Sequence, residues 1–297
     1  MHWKERDERE MIMENIRSVT FRKKATRWLR IGIQVLFFLT APAAFSSAFS
    51  GIKEIFTAFS QGAELQMTSF AKILLFLLIF TIVFGRFFCG YACAFGAVGD
   101  WIYMFSCAVQ KRIIKKKVPR MPEQVQVNMQ YVKYILSSVV VLLCFAGHQQ
   151  LVNQDSPWTV FSFLSSFQMP RGDVAVGSAL LASILAGMAF QERFFCQFLC
   201  PMGAVFALLP ILPFGQLRRD RERCRRGCRA CSKTCPVALG PEMGSARSGE
   251  CIRCGRCADA CPGKNISIGG LPLRGSEPAW VVLQAALLLV GMFFLKR

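Results

Sequence analysis

Residues 223–262 read R-C-R-R-G-C-R-A-C-S-K-T-C-P at 223–236, a spacer at 237–250, and C-I-R-C-G-R-C-A-D-A-C-P at 251–262. Eight of the fourteen cysteines of the chain lie in this stretch. The second run has the spacing C-x2-C-x2-C-x3-C-P of bacterial [4Fe–4S] sites, in which the fourth cysteine binds the other cluster. The first run has the same spacing, except that its leading cysteine, Cys224, lies one residue early.

The eight cysteines are therefore predicted to hold two [4Fe–4S] clusters. The first cluster is assigned to Cys224, Cys228, Cys231 and Cys261, and the second to Cys251, Cys254, Cys257 and Cys235. Two zinc sites of four thiolates each are an alternative, although such sites usually pair two C-x2-C knuckles at longer separation. Disulfides are a further alternative, which suits a secreted chain.

The composition indicates a membrane protein. The chain has 297 residues, of which 53% are hydrophobic and 27 are phenylalanine, and its mean hydropathy is +0.38. These values are too apolar for an ordinary soluble domain. A net charge of +18 is compatible with nucleic-acid binding, but in a membrane protein the excess of Lys and Arg marks cytoplasmic loops. We therefore expect a membrane and no nucleic acid among the partners.

Five apolar runs are predicted to be helices, at 28–49, 70–98, 131–147, 174–190 and 279–295. The fifth run could instead lie along the membrane surface. The predicted divisions are a basic N-terminal segment at 1–27, a membrane domain at 28–214, a ferredoxin-type domain at 215–278 and a C-terminal membrane helix at 279–297. The fold class is thus a mainly α-helical polytopic membrane domain of four to five helices in two related halves, with an inserted two-cluster α+β ferredoxin segment.

The charged loops predict the orientation. Residues 111–120 carry six positive charges and no acid, which places this loop in the cytoplasm. The N-terminus and the ferredoxin segment follow on the same side, and a loop at 148–173 with Trp158 lies outside. The expected location is multi-pass in the bacterial cytoplasmic (inner) membrane.

An internal repeat lies in the membrane part. Residues 86–98 read R-F-F-C-G-Y-A-C-A-F-G-A-V, and residues 193–205 read R-F-F-C-Q-F-L-C-P-M-G-A-V. Cys89/Cys93 and Cys196/Cys200 are both i, i+4 pairs, which present their thiols on one face of a helix. The four thiols form a candidate third site, which could be an iron–sulfur or other metal site or a redox dithiol that handles a soft metal such as copper. Buried apolar packing is the alternative.

Other residues receive simpler interpretations. Cys107 and Cys144 are expected to be core residues. Arg86 and Arg193 are expected to anchor to lipid phosphates at the interface, with neutralisation of cluster or quinone charge as the alternative. Lys133 is expected to snorkel, and His148 to be an interfacial histidine.

Two R-x-x-C-x3-C repeats that lead into a two-cluster ferredoxin segment resemble the ferredoxin-type membrane proteins NapH and MauN, and the membrane halves of CcoG (FixG) and NosR. The resemblance covers roughly residues 28–268. This chain departs from the pattern at Cys224, in its fifth apolar run, and at Ala94, which stands where the first membrane motif has proline.

The resemblance implies electron transfer, either as part of a quinol dehydrogenase or in support of the maturation of another redox enzyme. We therefore predict an electron-transfer component, with no catalytic residues of its own, that passes electrons between the quinone pool and a partner redox protein. The alternative is an assembly factor that supplies electrons for reduction of a metal such as copper, or of a disulfide, in a maturation target. The absence of a G-x-G-x-x-G, Walker or C-x-x-C-H motif fits a component that moves electrons rather than a stand-alone enzyme.

Overall fold

The computed structural model describes residues 2–62, 67–113, 115, 121–147, 156–165, 175–212, 215–220, 222–224, 227–239, 249–268 and 277–296, with side chains from Thr20 to Leu295. His148 and most of the basic loop at 111–120 lie outside the described residues. The described part is mainly helical, as the sequence predicts.

The N-terminal half begins with one long helix, α1 (His2–Thr40), which runs straight through the predicted boundary at 27/28. Pro42 follows it, and because proline cannot continue a helix the chain turns. Helix α2 (Ala44–Gln61) then leaves at 61° to the second half of α1. Helix α3 (Ser69–Phe84) packs against α2 and ends at Gly85, which has a positive φ of 72°. Helix α4 (Ala94–Ile113) completes this half.

The second half repeats this arrangement with shorter helices. Its helices are α5 (Glu123–Met129), α6 (Val132–Phe145), α7 (Pro157–Ser165), α8 (Ala175–Phe190) and α9 (Pro201–Leu208). Helix α7 occupies part of the predicted outer loop. The Trp158 ring on α7 packs 5.3 Å from the Phe195 ring, so this side chain belongs to the core and not to a displayed loop.

Each membrane repeat contains a single π-helical turn, π1 (Phe88–Ala92) and π2 (Phe195–Leu199). The closing hydrogen bonds run from Cys93 N to Phe88 O, at 2.8 Å, and from Cys200 N to Phe195 O, at 2.9 Å. Each turn therefore holds one more residue than an α-helical turn does, so the condition under which an i, i+4 pair shares one α-helical face is not met here. Such turns occur frequently at functional sites.

The cysteine-rich segment forms a small α+β unit. Strands β1 (Leu217–Arg219) and β2 (Ile266–Ile268) pair antiparallel, with Leu217 opposite Ile268. Two short helices, α10 (Ala230–Thr234) and α11 (Arg256–Ala260), pack together beside them. Part of the unit has its own small core, whereas Val237, Leu239, Ile252 and Cys254 belong to the main core of the membrane helices. The unit is therefore seated in the membrane domain.

The last helix, α12 (Pro278–Lys296), packs against α1 and α3. Among the described residues, two stretches are long and apolar enough to cross a membrane, Glu123–Phe145 and Pro278–Leu295. The bent pair α1–α2 makes a third if it forms one span. Helices α3 and α8 are apolar but have only 16 residues each. Ile135, Leu142 and Val290 are more than half exposed. Apolar side chains displayed along such helices fit a membrane environment.

Candidate metal centres

The four cysteines assigned to the first cluster lie around one cavity. Its walls include all four cysteines of the first ferredoxin set, Cys224, Cys228, Cys231 and Cys261. Arg219 Nη2 donates a hydrogen bond to Cys224 Sγ at 2.8 Å, and the Asn265 amide lies 3.4 Å from Cys261 Sγ. Four thiols around one cavity, with N–H donors to their sulfurs, form a donor set that fits a [4Fe–4S] cluster.

The second ferredoxin set consists of Cys235, Cys251, Cys254 and Cys257. Burial, together with the neighbouring Cys254 and Cys251 thiols, raises the pKa of Cys235 to about 12. Burial, with Cys254, Cys251 and Cys235, likewise raises the pKa of Cys257 well above its ordinary value. These four sulfurs therefore lie close enough to oppose one another's ionisation. Bound iron would offset that repulsion, because metal binding favours the thiolate.

The described residues contain no group of three or more histidine, cysteine or carboxylate side chains arranged to hold a single ion. A tetrahedral zinc site requires its thiolates to converge on one point. A cubane distributes its four cysteines over four irons. The two alternatives therefore make different demands on the same four thiols.

The membrane set, Cys89, Cys93, Cys196 and Cys200, lies beyond the ends of α3 and α8. All four side chains are buried, with exposed fractions between 5% and 7%. Burial, followed by Cys196, Cys89 and Cys93, raises the pKa of Cys200 well above its ordinary value. The two pairs are therefore in one neighbourhood, although 107 residues separate them in sequence.

Cys93 and Cys200 each lie directly before a helix. Cys200 is the N-cap of α9, and its Sγ accepts a hydrogen bond from Gly203 N at 3.2 Å. Pro201 and Ala94 occupy the first positions of α9 and α4. Because the first N–H of a helix has no intrahelical partner, proline and alanine are both compatible with this position. The departure at Ala94 therefore leaves the local geometry of the pair intact.

The two repeat arginines are buried, with exposed fractions of 1% for Arg86 and 3% for Arg193. The expectation that they anchor to lipid phosphates is therefore wrong. Arg193 Nη1 donates to Cys89 O at 2.5 Å, its Nη2 donates to Gly90 O at 3.0 Å, and it pairs with Asp100 at 2.5 Å. It thus binds the opposite repeat.

Direct contacts join the two membrane repeats to the chain around the second ferredoxin set. A side chain at Gly90 would overlap the Ile252 carbonyl oxygen. The Tyr91 hydroxyl donates to Cys254 O at 3.3 Å. From the other repeat, Gln197 Nε2 donates to Pro236 O at 2.5 Å, one residue beyond Cys235. The first repeat therefore contacts the chain around Cys254, and the second repeat contacts the chain beside Cys235.

Glu250, directly before Cys251, is a site residue that the sequence analysis missed. Its carboxylate accepts hydrogen bonds from Arg86, at 3.2 Å, and from Lys133 and Tyr134. Burial raises the pKa of Glu250, but Arg86 and Lys133 outweigh burial and hold it below its ordinary value. Lys133 is fully buried against Glu250, so the expectation that it snorkels to the interface is wrong.

A cavity of about 610 Å³ opens between α1, α4 and the cysteine-rich unit. Its polar walls include Arg30, Gln34 and Asp100, and its apolar walls include Ile31 and Met104. Gln34 Nε2 donates to Asp100 at 2.8 Å, and Arg30 donates to Cys254 O. The cavity therefore adjoins the second ferredoxin set.

The two remaining cysteines, Cys107 and Cys144, differ in their exposure. Cys144 is 1% exposed in the main core, as predicted. Cys107, predicted to be a core residue, is partly exposed and lines the 610 Å³ cavity.

The 4Fe-4S binding domain family matches residues 68–120 and 174–214. These two segments contain the membrane set, one pair in each. The match ends before the cysteine-rich run, so the motifs at 223–262 are additional to it.

Several curated proteins are similar to the chain. Protein NirI of Paracoccus denitrificans is 31% identical over 172 residues, which are 57% of this chain and 24% of NirI. An uncharacterized protein of Methanocaldococcus jannaschii is 26% identical over 77% of this chain and 89% of its own length. The ferredoxin-type protein NapH of Haemophilus influenzae is 27% identical over 63% of each chain. No solved structure matches the chain.

This chain therefore spans only about a quarter of NirI but most of the archaeal relative. The resemblance to NapH-like ferredoxin-type proteins is confirmed. At the coarse level, the matches support an iron–sulfur protein associated with electron transfer or other redox chemistry.

Proposed function

We propose that this NapH-like iron–sulfur protein passes electrons between the quinone pool and a partner redox protein, through two [4Fe–4S] clusters held by the first and second ferredoxin sets. The observation that carries the proposal is the seating of the second ferredoxin set in the main core, against both membrane repeats. When bound, such clusters accept and pass on single electrons.

The order of the sites supports a path from the membrane to the surface. The second ferredoxin set contacts the membrane repeats at Cys254 and beside Cys235. The first set lies beside the two-stranded sheet, at a small core that it shares with Cys257. Cys224, Cys228 and Cys261 are partly exposed. A soluble redox partner would meet the protein at the first set, where thiol-bound groups lie nearest the solvent.

The 610 Å³ cavity is our candidate quinol site. Its volume is within the usual range for small-molecule sites. Its apolar wall suits a ring that arrives from the membrane, and Gln34 and Arg30 can donate hydrogen bonds to the quinol oxygens. Oxidation of a quinol releases two electrons and two protons. The electrons would leave singly toward the second ferredoxin set, and the protons would pass to carboxylates that line the cavity, which include Asp100, Glu192 and Asp259.

The positive charges at 111–120 and in α1 support a cytoplasmic position for the N-terminus and the ferredoxin unit, in the inner membrane of a bacterium. A reporter fused at Gly215 should therefore remain in the cytoplasm. Export of that fusion would overturn this topology.

Anaerobic purification tests the central proposal. The protein should hold at least eight irons, and a short-chain menaquinol should reduce its clusters, as followed by electron paramagnetic resonance (EPR). Gln34→Leu should slow this reduction at least tenfold, because the cavity loses a donor. Gln110→Leu, the same replacement at a partly exposed position of α4 that does not line this cavity, should not. Stoichiometric zinc without iron, or reduction that is equally fast in Gln34→Leu, would contradict the proposal.

The alternative is an assembly factor that delivers electrons to a metal or disulfide in a maturation target. The membrane set favours it, since four buried thiols are suitable ligands for a soft metal such as Cu(I). Copper that copurifies with the chain and is lost in Cys93→Ser and Cys200→Ser would support this alternative over the quinol pathway.

A further inference from the structure

Exposed cations surround the cavity of the first ferredoxin set. Residues 217–236 contain eight Lys and Arg but only two acids. Four exposed cations are direct sequence neighbours of residues that line this cavity, and they are Arg218, Arg223, Arg229 and Lys264. Three of the four cysteines in the cavity wall are themselves partly exposed. A molecule that approaches these thiols from the solvent therefore meets positive charge.

The backbone that carries the cations is ordered by hydrogen bonds. Asn265 Nδ2 donates to Arg223 O at 2.7 Å, and Asp220 N donates to Asn265 O at 3.0 Å. Lys264 has a positive φ of 54°, which is uncommon for a residue other than glycine, in a turn three residues after Cys261. Charges held on an ordered frame lose less conformational freedom when a partner binds.

Neutralisation of a bound cluster does not account for these exposed cations. Arg219, which is only partly exposed, donates to Cys224 Sγ at 2.8 Å and is placed for that purpose. The side chain of Arg223 is 81% exposed, and that of its partner Asp220 is 44% exposed. Charges so open to water interact weakly with groups inside the protein. Their field extends into the solvent, where it acts on approaching molecules.

We propose that Arg218, Arg223, Arg229 and Lys264 form a docking surface for an acidic one-electron carrier protein, which exchanges electrons with the cluster of the first ferredoxin set. The inference rests on the proposed function and adds the charge of the partner redox protein. In each encounter one electron passes from the reduced cluster to the oxidised carrier, with no proton transfer. The cluster is oxidised and the carrier is reduced by one electron. Opposite charge selects the carrier and speeds its association.

Anionic lipid headgroups are the competing partner, because basic segments beside a membrane attract them. The partial exposure of Cys224, Cys228 and Cys261 favours a protein. A lipid surface over these thiols would cover the edge through which electrons enter or leave. An acidic carrier would instead bring its own redox centre to that edge.

The test measures oxidation of the dithionite-reduced full chain, in phosphatidylcholine nanodiscs, by two carriers of opposite charge. Plant plastocyanin is acidic, mitochondrial cytochrome c is basic, and each accepts one electron. The rate constant for plastocyanin should fall at least tenfold between about 10 mM and about 150 mM salt, because the screening length shortens from about 30 Å to about 8 Å. The rate constant for cytochrome c should rise.

Charge reversal localises this effect on the docking surface. Arg229→Glu combined with Lys264→Glu should lower the plastocyanin rate constant at least tenfold at about 10 mM salt, and should raise that of cytochrome c. Retention of both ferredoxin EPR signals shows that this variant folds. Lys72→Glu is the matched control. Lys72 is exposed on α3, about 20 Å along the helix from the end that approaches the cysteine-rich unit at Gly85, and its reversal should change either rate less than threefold.

A plastocyanin rate that ignores both salt and the charge reversal would overturn the inference, and so would clusters that neither carrier oxidises. If the rate ignores the reversal while hydrogen exchange at 261–268 slows on addition of phosphatidylglycerol to the nanodiscs, the docking surface faces lipid and the inference is wrong. Failure of menaquinol to reduce the clusters would contradict the proposed function instead. It would leave this test intact, because dithionite supplies the electrons.

Discussion

Replacement of Glu250 by glutamine should loosen the cysteine-rich unit from the membrane helices. The Glu250 carboxylate forms ion pairs with Arg86 and Lys133, whose side chains are 1% and 0% exposed. It also accepts a hydrogen bond from the Tyr134 hydroxyl. Glutamine is neutral, so two buried cations would lose their counter-charge. Removal of one partner of a buried ion pair costs about 3–5 kcal/mol. At about 1.36 kcal/mol per factor of ten, the docked state should lose at least a hundredfold in its equilibrium with locally opened states.

Hydrogen exchange of the detergent-purified full chain measures this equilibrium, because backbone amides exchange through local opening. Protection of peptides that cover 249–261 should fall at least a hundredfold in Glu250→Gln. Combining it with Lys133→Met should recover part of the loss, since an apolar side chain replaces a stranded ion.

The matched control is Asp220→Asn, which breaks a pair with Arg223 in the same unit. Those side chains are 44% and 81% exposed, and exposed pairs contribute no more than about 1 kcal/mol. Protection in Glu250→Gln that stays within threefold of the wild type would refute the reasoning, because it would mean that the two cations do not depend on this carboxylate.

Three further outcomes are expected. Cys257→Ser should remove one of the two ferredoxin EPR signals, a result that a structural zinc or packing role would not produce. Pro201→Ala should be mild, below about 1 kcal/mol in thermal stability, because the first position of a helix does not require proline. Gly90→Ala should sharply reduce the yield of iron-loaded protein, since its methyl group would overlap the Ile252 carbonyl, whereas Gly32→Ala, with open space around it, should be tolerated.

Local patterns in the sequence predicted a large part of the molecule. Three of the four cysteines that line the first cavity lie within one turn of the chain, because only two or three residues separate them. Cys261 was assigned from the crossed ligation of bacterial two-cluster sites. The apolar runs predicted the helices because a helix also depends on residues that are close together in sequence. The π turns were not predictable in this way, since an inserted residue leaves the repeat R-F-F-C unchanged and alters only the hydrogen bond that closes at Cys93 or Cys200.

The sequence also did not predict the contacts between segments that are far apart along the chain. Arg86 and Lys133 looked like interfacial cations because their sequence neighbours are apolar, yet their partner Glu250 lies more than 100 residues away. The sequence did contain one sign of such a contact. Gly96 and Gly203 occupy equivalent places in the two repeats, and a glycine retained in both copies indicates a close approach. It does not reveal that the approaching group is the arginine of the other copy.

The hydrogen bonds that Arg193 donates to the first repeat have a consequence for biosynthesis. Cys89 and Cys93 leave the ribosome 107 residues before Cys196 and Cys200, and at about 5–20 residues per second this interval lasts roughly 5–20 s. Throughout that time the first pair lacks Arg193 and its opposing thiols. A metal delivered during translation would therefore meet an incomplete set of thiols. If the membrane set holds a metal, its loading has to wait until the second repeat has been inserted and docked.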